Sequence, residues 1–152
     1  GQIKNFDPEA YFDRQKLALY DRVTQLTLLA SREAITQSGL EITEELSEAT
    51  GLVLGTAAGG MNTWDDNFRS VYEEGKNRVH PFVVPKLMTN AAASHVSMAH
   101  NIKGPSLTVS TACASSNHAI GLAFQMVRSG MAQVMDPIMA NFQSTLKASN
   151  IM

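Results

Sequence analysis

Apolar residues recur at helical spacing between Tyr11 and Ser38, with Leu19, Val23, Leu26, Ala30 and Ala34 along one stripe. The spacing predicts one long helix with that stripe on the core, stopped at Gly39 as a left-handed cap. Glu41 to Thr50 is polar and reads as a loop with a short turn. Gly51 to Thr56 is a short apolar run without alternation, as expected of a parallel strand buried on both faces. Ala57-Ala58-Gly59-Gly60 closes it with a flexible turn. Trp64 to Gly75 predicts a helix, and Lys76 to Pro81 a basic, irregular link. Pro85 is placed to start a helix with Leu87, Ala91, Ser94 and Met98 on one face. Gly104-Pro105 interrupts the chain, and Ser106 to Thr111 then alternates apolar and hydroxyl residues like a strand. Cys113 to Ser129 predicts a helix stopped at Gly130, and Val134-Met135 opens another strand. Strands alternating with helices imply an α/β layered fold around a mostly parallel sheet.

The length of 152 residues suits one compact domain and is too short for two ordinary ones. With 44% apolar and 17% charged residues the chain is globular rather than disordered. A formal net charge of −2 argues against nucleic-acid binding, which favours basic domains. The single cysteine excludes an internal disulfide framework and a multi-cysteine zinc site, and fits a reducing compartment. No apolar run approaches the ~20 residues needed to span a bilayer, and the acidic start (Asp7, Glu9) is unlike a signal peptide. The expectation is a soluble, cytoplasmic protein. An α/β chain that opens on a helix is also expected to lack its first strand.

The segment Gly104 to Gly121 carries the chemistry. A strand runs into Thr111-Ala112-Cys113 and a helix leaves at once. A thiol at that junction faces the free N–H groups of the helix, where the positive end of the macrodipole favours the thiolate. Ala112, Ala114, Ser115, Ser116, Ala119 and Gly121 are small, which allows a sharp turn and leaves room for a substrate chain. The same N–H groups are placed to stabilise a developing oxyanion. The competing reading is a buried core thiol, the commonest state of a lone cysteine.

Several motifs follow one another along the chain: Asp21-Arg22 with Thr24-Gln25, Gly55-Thr-Ala-Ala-Gly-Gly60, Pro81-Phe-Val-Val-Pro85, Asn90-Ala-Ala-Ala93, Gly104-Pro-Ser106 and Thr111-Ala-Cys113. As an ordered set, covering about residues 5 to 135, they resemble the type II elongating β-ketoacyl-acyl carrier protein synthases, condensing enzymes of the thiolase fold. The resemblance implies a thiolase-like layered fold, present as an incomplete N-terminal half over residues 1–135. Residues 136–152 diverge from it: where the family continues into a Gly-Gly-rich strand end, this chain has Asp136-Pro137. That tail loosely resembles a helix from the family's C-terminal half.

The resemblance further implies that Cys113 takes an acyl chain from acyl carrier protein as a thioester. Malonyl-carrier then decarboxylates and its carbanion attacks the acyl-cysteine in a Claisen condensation. Ala58, Val83 and Ala112 match positions lining the acyl tunnel, and Lys76 and Arg78 match the carrier-contact region. Arg14 and Lys16 could extend a basic edge that steers an acidic carrier. No cofactor or metal is implied, and a homodimer is, through the edge of the Ser106–Thr111 strand. The family's His-Gly-Thr-Gly loop, second histidine, lysine and Gly-Phe-Gly-Gly turn have no counterpart here, so the chain alone is expected to be inactive.

None of the four histidines is expected to replace those groups. His118, five residues past Cys113, is turned about 140° away on a helix and is expected to pack structurally. His95 resembles a structural position, and His80 and His100 read as loop or helix-end residues. Two alternatives remain at this level: a polyketide-type ketosynthase, and a non-catalytic, dimerising or truncated fragment. The polyketide group usually carries an acidic residue where Ser110 stands, which favours fatty-acid synthesis.

Overall fold

The computed structural model describes residues 3–139. Its centre is a three-stranded parallel sheet of order β2-β1-β3, with β1 at Thr50–Gly55, β2 at Ser106–Val109 and β3 at Val134–Met139. Every residue of β1 is buried, as the unbroken apolar run predicts for a central parallel strand. Successive side chains of a strand point to opposite faces, so Leu52 and Leu54 enter one core and Val53 the other. On the first face they meet Leu28 of α2 (Arg22–Ser38) and Ala92, Ala93 and Val96 of α6 (Ala91–Ala99). On the second, Val53 packs against Ala119, Ala123 and Met126 of α7 (Ser115–Arg128). The fold is therefore helix, sheet, helix.

The helical pattern of the first forty residues resolves differently from its expectation. The chain makes a short α1 (Arg14–Leu19), breaks at Tyr20-Asp21, and starts α2 afresh with the Asp21 carboxylate accepting from the Val23 N–H at 3.1 Å. The buried face of α2 is Thr24, Gln25, Thr27, Leu28 and Ser31, while Leu19, Val23, Leu26 and Ala30 are half-buried and Ala34 is exposed. The stripe is rotated by about one residue, ~100°. Two of the hydroxyl residues on this face bond back to their own helix: Thr27 Oγ1 donates to Val23 O and Ser31 Oγ to Leu28 O, whereas the buried Thr24 Oγ1 has no partner among the described residues. Small side chains there let α2 approach the Ala91-Ala92-Ala93 face of α6.

Three further expectations change. Glu41–Thr50 contains α3 (Glu44–Ala49), capped by Thr43, whose Oγ1 accepts from Leu46 N–H at 3.2 Å. The predicted Trp64–Gly75 helix starts earlier, as α4 (Met61–Phe68), and runs on into a π-helical turn, Arg69–Glu73. Pro85 does not open a long helix. It lies within α5 (Val83–Leu87), where a first-turn residue needs no N–H, and the chain breaks at Met88 before α6. Met98 consequently faces solvent, at 68% exposure, rather than sharing the inner face with Ala91. The turn before α7 is a 3-10 turn, Ala112–Ala114, and Gly130 takes the left-handed stop at φ 75°.

β3 crosses the boundary placed at residue 135, pairing with β1 from Thr50↔Val134 to Gly55↔Met139. The expected helix-like tail beyond residue 139 lies outside the described residues. Asp136 in β3 is largely buried, and its Oδ2 has no hydrogen-bond partner among the described residues. Burial pushes its carboxyl up from an ordinary 3.8 to about 6. A raised carboxyl favours the neutral acid in the folded chain. Its stabilisation is fully present below the unfolded value of 3.8 and is lost as pH rises through about 6. Asp136→Asn, neutral at every pH, should therefore stabilise the chain at neutral pH by up to about 3 kcal/mol and by little near pH ~4. Urea unfolding across that range checks it; an equal effect at both pH values would contradict the assignment.

Candidate active site

All three strands are parallel, so β1 and β2 end on the same edge of the sheet, the edge where open α/β sheets hold ligands. Thr56 N–H donates to Val109 O at 3.1 Å and ties the two ends together. From β2 the chain enters the turn that carries Cys113. Ala112 adopts φ 48°, a left-handed conformation costing a non-glycine residue about 1–2 kcal/mol. Such strain persists only where surrounding contacts hold it. Here the buried Ser115 supplies them: its Oγ accepts from Thr111 N–H at 2.9 Å and donates to Ala112 O at 2.7 Å. Ala114 N–H closes the turn onto Thr111 O at 3.0 Å. The result is a stapled elbow with Cys113 at its tip.

Among the described residues Cys113 is exposed rather than buried as core filler. It opens on a hollow of about 710 Å³ whose walls include Asp21, Val23 and Leu26 of the α2 region, Gly55 to Gly59, Ala112 and Ser116. Two of the three expected tunnel residues, Ala58 and Ala112, lie here with the cysteine. Val83 does not. It lines a separate apolar hollow of about 180 Å³ with Trp64, Phe68, Tyr72, Val79 and Leu87. Val23 and Leu26, read from their spacing as core residues, instead form the apolar wall of the Cys113 hollow.

Glycine makes this floor possible. A Cβ on Gly55 would sit 2.5 Å from Ser115 O and 2.8 Å from Ser116 N, so the end of β1 and the start of α7 meet backbone to backbone. Side chains of any size would separate the turn that carries Cys113 from the strand beneath it.

The remaining candidates lie elsewhere. None of the histidines lines the Cys113 hollow. His118 is exposed on α7 rather than packed as expected. His95 is half-buried edge-on against Tyr20, ring centroids 4.6 Å apart, and burial holds its pKa down. His100 is also lowered, by burial first and then by Arg32. His80 Nδ1 accepts from Phe82 N–H at 3.2 Å. Lys76 and Arg78 are exposed; Lys76 pairs with Glu74 at 2.6 Å, and Lys16 with Asp13 at 3.1 Å. Among the described residues no cluster of histidine, cysteine, aspartate and glutamate could hold a metal ion, and no helix is long and apolar enough to cross a membrane.

Sequence reasoning named Ala112, Ser115 and Asp21 but missed what each of them does at this site. The strain at Ala112 has no sequence signature. Ser115 was read only as small, although a serine at the start of a helix often bonds nearby backbone. Asp21 was quoted only as part of a motif, although aspartate ahead of a periodic run is a helix-start signal.

A parallel sheet between helical layers, with a cysteine turn at the strand-to-helix edge, is the thiolase-like layered fold of the ketosynthases. The same fold is seen in a solved type II polyketide synthase acyl-carrier protein in complex with its ketosynthase bound to the hexaketide. That match has a TM-score of 0.79 at 23% identity and covers 87% of this chain and 38% of that one. A β-ketoacyl synthase from Burkholderia phymatum STM815 matches with a TM-score of 0.71 at 26% identity, over 87% of this chain and 33% of that one. Residues 1–135 match the family model of the β-ketoacyl synthase N-terminal domain, and the chain belongs to that family. The 3-oxoacyl-[acyl-carrier-protein] synthase 2 of Staphylococcus aureus is 36% identical over 135 residues, 89% of this chain and 34% of that protein. The chain thus spans about a third of the length of that curated relative.

Proposed function

We propose that this chain is the nucleophile-bearing part of a 3-oxoacyl-acyl carrier protein synthase and that Cys113 is its acyl acceptor. The observation that carries the reading is the strained, stapled elbow that presents an exposed Cys113 to a hollow of about 710 Å³. The Cys113 thiolate attacks the carbonyl of an acyl-carrier thioester; the carrier sulfur leaves and takes up a proton. The covalent intermediate divides one difficult displacement into two easier ones. In the complete enzyme malonyl-carrier then loses carbon dioxide, its carbanion attacks the acyl-cysteine carbonyl, and the Cys113 thiolate is released. Ala58 and Ala112 flank the acyl chain near the thioester, and Val83 acts through the neighbouring hollow.

An acyl carrier protein is the proposed donor. A ketosynthase of this fold has been solved with one bound. Arg78 forms no ion pair among the described residues and is the better contact; Lys76 already answers Glu74. A fatty-acid role is favoured over a polyketide one by Ser110, and the reducing cytoplasm suits an unpaired exposed thiol.

Supplied with acyl and malonyl thioesters, the 152-residue chain should release one equivalent of acyl-carrier thiol and form no condensation product. It lacks the family's histidine donors, and one missing oxyanion donor alone costs about 10²–10³ in rate. Repeated turnover to a 3-oxoacyl product would contradict this division of labour.

We further propose a homodimer through β2. This strand is at the sheet edge, contains neither proline nor lysine, and leaves Leu107 44% exposed. Pro105 O and Val109 O accept from β1, so the alternation points the Thr108 N–H outward. Thr108→Pro should remove that outward donor without touching the β1 ladder and weaken the dimer about tenfold or more. Sedimentation equilibrium decides: an unchanged dimer with an intact fold would place the interface elsewhere.

A further inference from the structure

Asp21 is only 4% exposed and forms no ion pair among the described residues, yet its carboxyl accepts three hydrogen bonds. Oδ1 takes Val23 N–H at 3.1 Å, in the first turn of α2; Oδ2 takes Thr63 N–H at 2.8 Å and Thr63 Oγ1 at 2.6 Å, in the first turn of α4. One carboxyl therefore serves the N-termini of two helices that converge on the same point, a favourable place for negative charge. Between them runs the Thr56–Gly60 turn, the wall of the Cys113 hollow. That turn is held without slack. A Cβ on Gly60 would lie 2.4 Å from Lys86 O and 2.9 Å from Asp21 Oδ2, and one on Gly59 would lie 2.2 Å from Leu87 O. Gly60 N–H itself donates to Leu87 O at 3.2 Å. The turn is thus clamped between the Asp21 carboxyl on one side and the end of α5 on the other. Asp21 also borders the hollow directly.

We propose that Asp21 is a positioning residue that, through Thr63, fixes the Thr56–Gly60 turn as the wall of the Cys113 hollow and so determines how long an acyl chain is accepted. The inference rests on the reading of Cys113 as acyl acceptor. A short acyl group ends near the sulfur and does not need that wall. A long chain must run along it. Loosening the clamp costs the long chain its preformed channel and leaves the thiol where it was.

The test compares three rates on the 152-residue chain: Cys113 alkylation by iodoacetamide, and acylation by acetyl and by dodecanoyl thioesters. Thr63→Val removes the hydroxyl donor and keeps the backbone one; Thr63→Ser keeps both; Asp21→Asn removes one acceptor oxygen. In Thr63→Val and Asp21→Asn the dodecanoyl-to-acetyl ratio should fall about five- to tenfold, with iodoacetamide alkylation within about twofold of the unmodified chain. Thr63→Ser should restore the ratio. If Asp21→Asn does not fold by circular dichroism, the milder Thr63 pair decides. An unchanged ratio in folded Thr63→Val, or equal ratios in Thr63→Val and Thr63→Ser, overturns the positioning role. An unmodified chain that iodoacetamide alkylates but neither thioester acylates overturns the acyl-acceptor reading, and the positioning role falls with it.

Discussion

Cys113→Ser should lower acyl uptake from a thioester donor by about 10³-fold or more, because a serine hydroxyl is a far weaker nucleophile than a thiolate. The effect should be confined to chemistry. Serine is slightly smaller than cysteine, Cys113 is exposed, and the elbow is held by Ser115 rather than by the thiol. Thermal unfolding of Cys113→Ser should therefore match that of the unmodified chain. Acyl release measured by thiol titration checks the first part. Retained uptake would mean that another group accepts the chain.

The second large effect is expected at Gly55. A methyl group there meets Ser115 O at 2.5 Å, Ser115 C at 2.7 Å and Ser116 N at 2.8 Å. All three are backbone atoms of the start of α7, so no side-chain rotation relieves the overlap. Gly55→Ala must push α7 away from β1, at the layer where Val53 packs on Ala119 and Ala123. Overpacking of this kind costs about 3 kcal/mol. The displacement also moves Cys113 relative to its hollow, and a misplacement of about 1 Å costs about 10² in rate. Urea unfolding and acylation kinetics should fall together, in contrast to Cys113→Ser, where only acylation falls. An alanine variant with unchanged stability would show that the β1–α7 junction is looser than its geometry.

What the sequence made legible follows from where the physics is local. Gly51 to Thr56 announced a central strand because a parallel strand covered on both faces needs an unbroken apolar run. The Thr111–Gly121 segment announced a sharp strand-to-helix turn because only small residues allow it. The α2 face was hidden for the opposite reason. Thr24, Thr27 and Ser31 look exterior, and their burial comes from the packing of α2 against α6, a contact between segments far apart in the chain. Val83 was matched to the acyl tunnel by its motif; in the structure it lines the hollow beside Trp64 and not the one at Cys113. The left-handed Ala112 could not be read at all. Alanine gives no hint of positive φ, and the conformation exists only because Ser115 braces it.

Peptide mapping by mass spectrometry, after incubation of the 152-residue chain with an acyl-carrier thioester, tests the central claim most directly. The account predicts one added acyl group per chain, carried by the peptide containing Cys113 and lost on treatment with hydroxylamine, which cleaves thioesters. A chain that stays unmodified while iodoacetamide still alkylates Cys113, or an acyl group found on any other residue, would contradict it.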